Sequence, residues 1–204
     1  MRERLKRGEQ ALHAANDNLR VQLQQIRDLQ AQLQDQANRD PLTGLYNRRY
    51  LQATIDRELA RCRRDGTPLC VMVIDIDHFK RVNDAHGHQV GDEVLCRLAR
   101  LLSASARQGD VACRYGGEEF LMLLPRMPLD VAVQRAQRWC DAFAAGETAT
   151  PTGNVRCTLS IGIAAFPEHG DEAETLTRHA DDALYAAKAH GRNRVVVATA
   201  AQPA

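Results

Sequence analysis

The sequence lacks the features that would place it among membrane, secreted or nucleic-acid-coating proteins. No apolar run reaches the roughly 18 residues that a bilayer-spanning helix requires, and the polar, charged N-terminus has no signal-peptide core. These absences lead to the expectation of a cytoplasmic protein with no membrane segment in this chain. Net charge is missing too. The 27 Lys and Arg residues against 26 Asp and Glu leave +1, which excludes a globally basic binder of nucleic acid polymers. The six cysteines (Cys62, Cys70, Cys96, Cys113, Cys140, Cys157) form no Cys-x-x-Cys pair and stand mostly in apolar runs. They read as reduced core residues and not as a disulfide frame or a zinc site. His86 and His88 have no carboxylate or cysteine at a ligand spacing that demands a metal, and read as structural. No internal repeat is evident, and 204 residues suit one ordinary domain plus an appendage.

Proline is absent from residues 3–38, and glycine occurs there once. What this stretch does contain is a seven-residue recurrence of Leu5, Leu12, Leu19, Ile26 and Leu33. Leu23 and Ala37 fill part of a second row four positions on, while Glu9, Asn16 and Gln30 interrupt it. The spacing predicts a coiled-coil stalk over residues 1–38. A helix with so thin an apolar stripe has no core of its own, so pairing with a second copy is expected; a solvated linker helix is the alternative. Asp40-Pro41 ends the stalk, because the residue before proline avoids helical dihedrals.

From residue 39 to 198 helical and strand patterns alternate. Helices are expected over Asn47 to about Arg64, Gly91 to Ala104, around Val133 to Phe143, and Ala173 to His190. Strands are expected at Leu69 to Asp75, on both sides of Gly116-Gly117, at Val155 to Ala164 and at Arg194 to Ala198. The order predicts an α+β fold, a mixed or mostly antiparallel sheet with flanking helices. The tail, residues 199–204, is expected to be disordered.

Chemistry concentrates at Gly116-Gly117-Glu118-Glu119-Phe120. Two carboxylates follow a two-glycine hairpin tip, whose residues are expected to use positive φ and to leave room for a bulky anionic ligand. Carboxylates at such a tip suit a hard divalent cation; taken alone, the motif is better explained by an ordinary solvated hairpin. The buried strand ends in Asp75-Ile76-Asp77, and an ionisable group there is costly unless paired or metal-bound. Asp77 reads equally as a helix N-cap. A central strand beside the hairpin would bring Asp75 and Glu118 together as metal ligands suited to phosphoryl transfer. Lys188 and Arg192, four apart at the end of the last helix, could reach one phosphate tail, although helix C-termini attract cations in any case. Lys80 is a further nearby cation. Asn83 and Asp92 could read guanine, whose N1–H and N2–H₂ need a carboxylate acceptor; a turn or cap role is the alternative.

These residues in this order resemble the GGDEF-domain diguanylate cyclases, in the Gly-Gly-Glu-Glu-Phe form. The resemblance runs from Asp40-Pro-Leu-Thr-Gly-Leu-Tyr-Asn-Arg-Arg49 through Asp75-Ile-Asp-His-Phe-Lys80, Asn83-Asp84, Gly87-His-Gln-Val-Gly-Asp92, Arg114-Tyr-Gly-Gly-Glu-Glu-Phe120 and Ser160-Ile-Gly162. It ends in Ala180-Asp-Asp-Ala-Leu-Tyr185 and Gly191-Arg-Asn193. It implies a nucleotide-cyclase, palm-like fold and condensation of two GTP into cyclic di-GMP and two pyrophosphates. By position it assigns Mg²⁺ (or Mn²⁺) to Asp75, the carbonyl of Ile76 and Glu118, with Glu119 nearby. Glu118 would also help deprotonate the ribose 3′-hydroxyl. Asn83 and Asp92 would bind guanine, Lys188 and Arg192 the phosphates, with Gly116, Gly117, Phe79 and Lys80 around the substrate. One site holds one GTP, so two domains must face each other, which gives the stalk a task as a homodimer former. Family members commonly receive signals through such helices from an upstream sensor; none is encoded in these residues, so either a truncated chain or an input from elsewhere is expected. Arg107-Gln-Gly-Asp110 matches the Arg-x-x-Asp motif of product-inhibited members, with Arg138 as a further product contact; a surface Arg and a turn Asp are the alternative. A catalytically inactive cyclic di-GMP sensor is the second reading of the whole, which the retained Asp75, Glu118, Glu119, Lys188 and Arg192 disfavour.

Overall fold

The computed structural model describes residues 2–150 and 153–199; for residues 2–15, 17 and 31 it describes the backbone alone. Two compact units result, Met1–Arg39 and Asp40–Ala204.

The first unit is one helix, α1 (Arg2–Asn38). With 1.5 Å per residue it is about 55 Å long. Leu19, Leu23, Ile26 and Leu33, all on the seven-residue pattern, are exposed, and so are Val21 and Leu29. The side chains of Leu5 and Leu12, which begin the pattern, lie outside the described residues, as does the expected tail from residue 200 on.

The second unit follows the expected α+β plan. Its elements are β1 (Tyr46–Asn47), α2 (Arg48–Asp65), β2 (Leu69–Ile76), α3 (Phe79–His86), α4 (His88–Ser105), β3 (Val111–Arg114), β4 (Glu119–Pro125), α5 (Leu129–Ala145), β5 (Thr148–Thr150), β6 (Gly153–Val155), β7 (Leu159–Phe166), α6 (Ala173–Ala189) and β8 (Arg194–Val197). Six strands form one sheet in the order β1-β3-β4-β2-β7-β8. The inner pairings β3/β4, β4/β2 and β2/β7 are antiparallel, while the edge strands β1 and β8 pair in parallel. The two-residue strand β1, the small β5/β6 hairpin and the short helix α3 are additions to the expected plan. Their segments are too short to carry a readable period.

β2 is central and every residue in it is buried, as a continuous apolar run requires. Its alternate residues feed two cores. Met72 and Ile74 join Met122, Phe120, Leu95, Leu98 and Phe143 on one face. Val71 and Val73 join Leu121, Leu123, Ile55, Leu59, Leu176 and Leu184 on the other, beneath α2 and α6. Gly162 on β7 sets how closely α6 approaches. A Cβ there would meet the Ala180 carbonyl oxygen at 2.0 Å and the Leu184 nitrogen at 2.2 Å. Only glycine admits this helix-to-sheet contact, and it carries the last turn of α6 down onto the end of β2.

Candidate active site

The strand register places the acids. β2 and β4 run antiparallel with Asp75 directly opposite Glu119, so the acid at the strand end and the second acid of the hairpin are cross-strand neighbours. Glu118 sits in the turn one residue earlier. It is close enough to Asp75 that repulsion between the two adds to burial in lifting the Glu118 carboxyl above the usual range. Burial is also the main reason that Asp75 is lifted; Lys188 opposes the rise, and Glu119 and Asp77 reinforce it. Lys188, in the last turn of α6, places its Nζ 2.7 Å from Asp75 Oδ2. Gly162 makes that possible by seating the helix one turn upstream.

Asp75 and Glu118 therefore share one ammonium, with Glu119 across the strands from Asp75. Among the described residues, no three carboxylate, histidine or cysteine groups already converge on one point as a metal cage. The donor set nevertheless fits a hard divalent cation: it is all oxygen, it is under-neutralised, and Lys188 already leans on it. Ile76 is fully buried by its side chain and can offer only its main-chain carbonyl.

The turn itself differs from the expectation for Gly116 and Gly117. Neither has positive φ; the glycines that do are Gly44, Gly66, Gly87, Gly109, Gly153, Gly170 and Gly191. The connection is wide enough to close without it: the N–H groups of Tyr115 and Gly116 both donate to the Glu119 carbonyl, at 2.8 and 3.2 Å. The second expectation for the pair, space, fits Gly117, where an added Cβ would meet nothing within 4 Å.

Arg114, which the sequence reading had not given a role, ties this turn down. Its Nε and Nη2 donate to the Gly117 carbonyl at 3.2 and 2.9 Å. Its Nη1 donates to both oxygens of Asp40, at 3.2 and 3.3 Å. Asp40 also accepts from the N–H and hydroxyl of Thr43, and these bonds with Arg114 hold its carboxyl below the usual range despite burial. Asp40, at the start of the second unit, is thus bonded through one guanidinium to the signature turn.

The guanine-reading pair stands on α3 and α4. Asn83 lies so close to Gly91 that a Cβ there would fall 2.0 Å from Asn83 Oδ1, which brings the amide to within one residue of the exposed Asp92. Phe79 is buried with its ring against the same glycine. Lys80 is exposed in the first turn of α3. Arg192 lies beyond the end of α6 with φ 63°, so the four-residue spacing from Lys188 is not a helical one. A groove of about 1120 Å³ between α2 and α6 reaches this cluster only at Glu119.

The Arg107–Asp110 turn is built differently. The Arg107 N–H donates to Asp110 Oδ2 at 2.8 Å, and the Asp110 N–H donates back to the Arg107 carbonyl at 3.0 Å. The same Oδ2 accepts from Arg135 Nη1 at 2.8 Å, an ion pair with side chains only 7% and 4% exposed. Arg135 further donates to the Ser105 carbonyl and stacks on Trp139. Asp110 thus serves the turn before it could serve a ligand. Arg107 and Arg138 remain exposed. The expected alternative for Asp77, a helix cap, does not hold, because His78 occupies that place without a side-chain bond.

A family model described as diguanylate cyclase, GGDEF domain, matches residues 37–194. The chain is 42% identical over 159 residues to the response regulator PleD of Caulobacter vibrioides, covering 77% of this chain and 35% of PleD. It is 42% identical over 170 residues to the diguanylate cyclase DgcM of Escherichia coli, covering 83% and 40% respectively. The chain therefore spans well under half the length of these relatives. Among solved structures it is similar to the coiled coil and GGDEF domain of DgcB from Caulobacter crescentus, in complex with c-di-GMP. The TM-score is 0.83 at 33% identity, over 92% of this chain and 99% of that one. No helix among the described residues is long and apolar enough to cross a membrane.

Proposed function

The chain belongs to the GGDEF family of diguanylate cyclase domains, and on that premise we propose that it condenses two GTP molecules into cyclic di-GMP. The observation that carries this reading is the convergence at the end of β2, where Asp75 faces Glu119 across the strands and Lys188 sits on Asp75.

Asp75, the Ile76 carbonyl and Glu118, with Glu119 beside them, would hold Mg²⁺ or Mn²⁺. Held there, such an ion would supply neutralisation of phosphate charge and a lower pKa for the ribose 3′-hydroxyl. Lys188 then exchanges Asp75 for a phosphate oxygen, and Arg192 adds a second positive charge on the same tail. Asn83 and Asp92 hold guanine; adenine would leave the Asp92 carboxylate facing no donor. The proton of the 3′-hydroxyl passes to Glu118, whose raised proton affinity suits a base, and thence to solvent. The 3′-oxygen forms a bond to the α-phosphorus of the second GTP while the bond to the β-phosphate oxygen breaks, releasing pyrophosphate. The same exchange in the opposite direction closes the ring.

Each domain supplies half of this arrangement, so two copies must face one another about a two-fold axis. The exposed Leu19, Leu23, Ile26 and Leu33 of α1 support pairing through the stalk (residues 1–38), which raises the local concentration of the second half-site in the cyclase domain (39–198). Product is proposed to bind back at Arg107 and Arg138, whose guanidinium groups suit the O6/N7 edge of guanine, on a turn that Asp110 shapes.

The test is nucleotide chromatography of a GTP and Mg²⁺ reaction at several protein concentrations. Cyclic di-GMP should appear, with output rising more steeply than protein concentration. A chain that binds cyclic di-GMP but forms none from GTP would sink this reading and leave the sensor in its place.

A further inference from the structure

Two aspartates stand two residues apart at the end of β2, and the proposed chemistry uses only the first. Asp77 is 4% exposed. It accepts from Thr158 Oγ1 at 2.6 Å, from Ser160 Oγ at 2.7 Å and from the N–H of Asn193 at 3.0 Å. A buried anion satisfied by three neutral donors has little left for a metal or a ligand, so its job lies in what it holds.

What it holds is the loop after α6. Gly191, Arg192 and Asn193 have φ of 111°, 63° and 47°, three successive residues in the left-handed region. Asn193 tolerates this conformation, but the Arg192 side chain disfavours it, and such strain persists only where the surroundings fix it. The backbone on either side of Arg192 is fixed at three consecutive points. Its own N–H donates to the Ala187 carbonyl at 3.0 Å, and its carbonyl accepts from Arg194 Nε at 3.0 Å. The next N–H donates to Asp77. The Arg192 guanidinium, by contrast, makes no hydrogen bond or ion pair within the described residues. A constrained backbone under an uncommitted cation is the arrangement expected where a charge must wait in a set place for a ligand.

We infer that Asp77 is a positioning residue for Arg192, locking the left-handed Gly191–Asn193 loop to the end of the acid-bearing strand so that the guanidinium meets the phosphates beyond the α position. Arg194 is the lesser clamp, acting on the Arg192 carbonyl. The inference rests on the GTP-binding role proposed above and deepens it. It makes one strand place two opposite charges: Asp75 at the acid cluster, and Arg192 through Asp77.

The experiment is calorimetric binding of α,β-methylene-GTP and of GMP, in Mg²⁺, to the intact chain as wild type, Asp77→Ala, Arg192→Ala and the double variant, with melting curves to verify folding. Asp77→Ala should weaken the triphosphate analogue about ten-fold and leave GMP unchanged. The double variant should bind the analogue no more weakly than Arg192→Ala alone. Asp77→Asn, which keeps one acceptor oxygen, should recover most of the affinity. A folded Asp77→Ala with wild-type affinity, an equal loss for GMP, or an additive loss in the double variant would each overturn the inference. Should Asp77→Ala fail to fold, Arg194→Ala removes an exposed clamp without touching the core. It should weaken the analogue in the same direction and spare GMP, and unchanged analogue affinity would overturn the inference. A wild-type chain that binds neither nucleotide removes the enzymatic reading itself, a failure distinct from all of these.

Discussion

Asp110 and Asp75 are both buried aspartates in functional regions, and they are treated in opposite ways. Asp110 has a guanidinium at 2.8 Å and a backbone N–H at 2.8 Å on the same oxygen, inside a turn that closes on itself. Asp75 has one ammonium, shared with Glu118, and its carboxyl is raised in spite of that partner. A saturated carboxylate builds structure. An under-neutralised cluster at the rim of a sheet costs stability until something positive arrives, which marks it as a working site.

The largest expected effect follows from removing one charge from the crowded cluster. Glu118→Gln keeps shape but can neither hold a cation nor take a proton, so cyclic di-GMP output should fall roughly 10³-fold or more by chromatography. The same change should raise the melting temperature at neutral pH. The sign follows from linkage: a carboxyl whose folded-state affinity for protons is raised stabilises the fold below its unfolded value, and that contribution is lost as pH rises through the folded one. A lower melting temperature for Glu118→Gln at pH 7 would mean that the cluster is not under-neutralised.

Breaking the other region should do the reverse. Arg135→Met leaves the Asp110 carboxylate buried without its cation and should cost about 3–5 kcal/mol in urea denaturation. Turnover per folded molecule should stay near wild type, and adding Asp110→Asn should return part of the loss. If Arg135→Met is neutral in stability, the contrast between the regions fails.

A smaller effect tests the cluster without mutation. Asp75 and Glu118 are neutral well below their ordinary values near pH 4 and charged above their raised ones. Mg²⁺ should therefore raise the melting temperature more at pH 7 to 8 than near pH 4. Equal stabilisation at both would place the ion elsewhere.

What the sequence made legible, and what it did not, follows the reach of each interaction. The central strand, the hairpin and the pairing of Asp75 with the signature acids were readable, because a continuous apolar run and a two-glycine turn are local patterns that register then extends. Arg114, Asp77 and Arg135 were not, since their partners lie 74, 116 and 25 residues away and no period encodes them. Arg135 did leave a trace: it sits among Ala132, Ala136, Trp139 and Phe143 on the buried stripe of α5, where an arginine needs a partner. Gly116 and Gly117 show the opposite error. Their turn chemistry was read from composition, but a wide turn needs no left-handed residue, and the glycine at 117 leaves open space instead.

The smallest structural effect is also the one that separates ligand contact from scaffold within a single motif. Arg107 contributes its backbone to the Asp110 turn, while its side chain is exposed. Arg107→Ala should thus change stability by no more than about 0.5 kcal/mol, the range for surface positions outside the core. Initial rates at low product should match wild type, because the acids, Lys188 and Arg192 are untouched. Progress curves should differ: where wild type slows as cyclic di-GMP accumulates, Arg107→Ala should continue, and added cyclic di-GMP should bind more weakly by calorimetry. Unchanged product affinity in Arg107→Ala would leave the turn as scaffold throughout, with Asp110 and Arg135 as its only purpose.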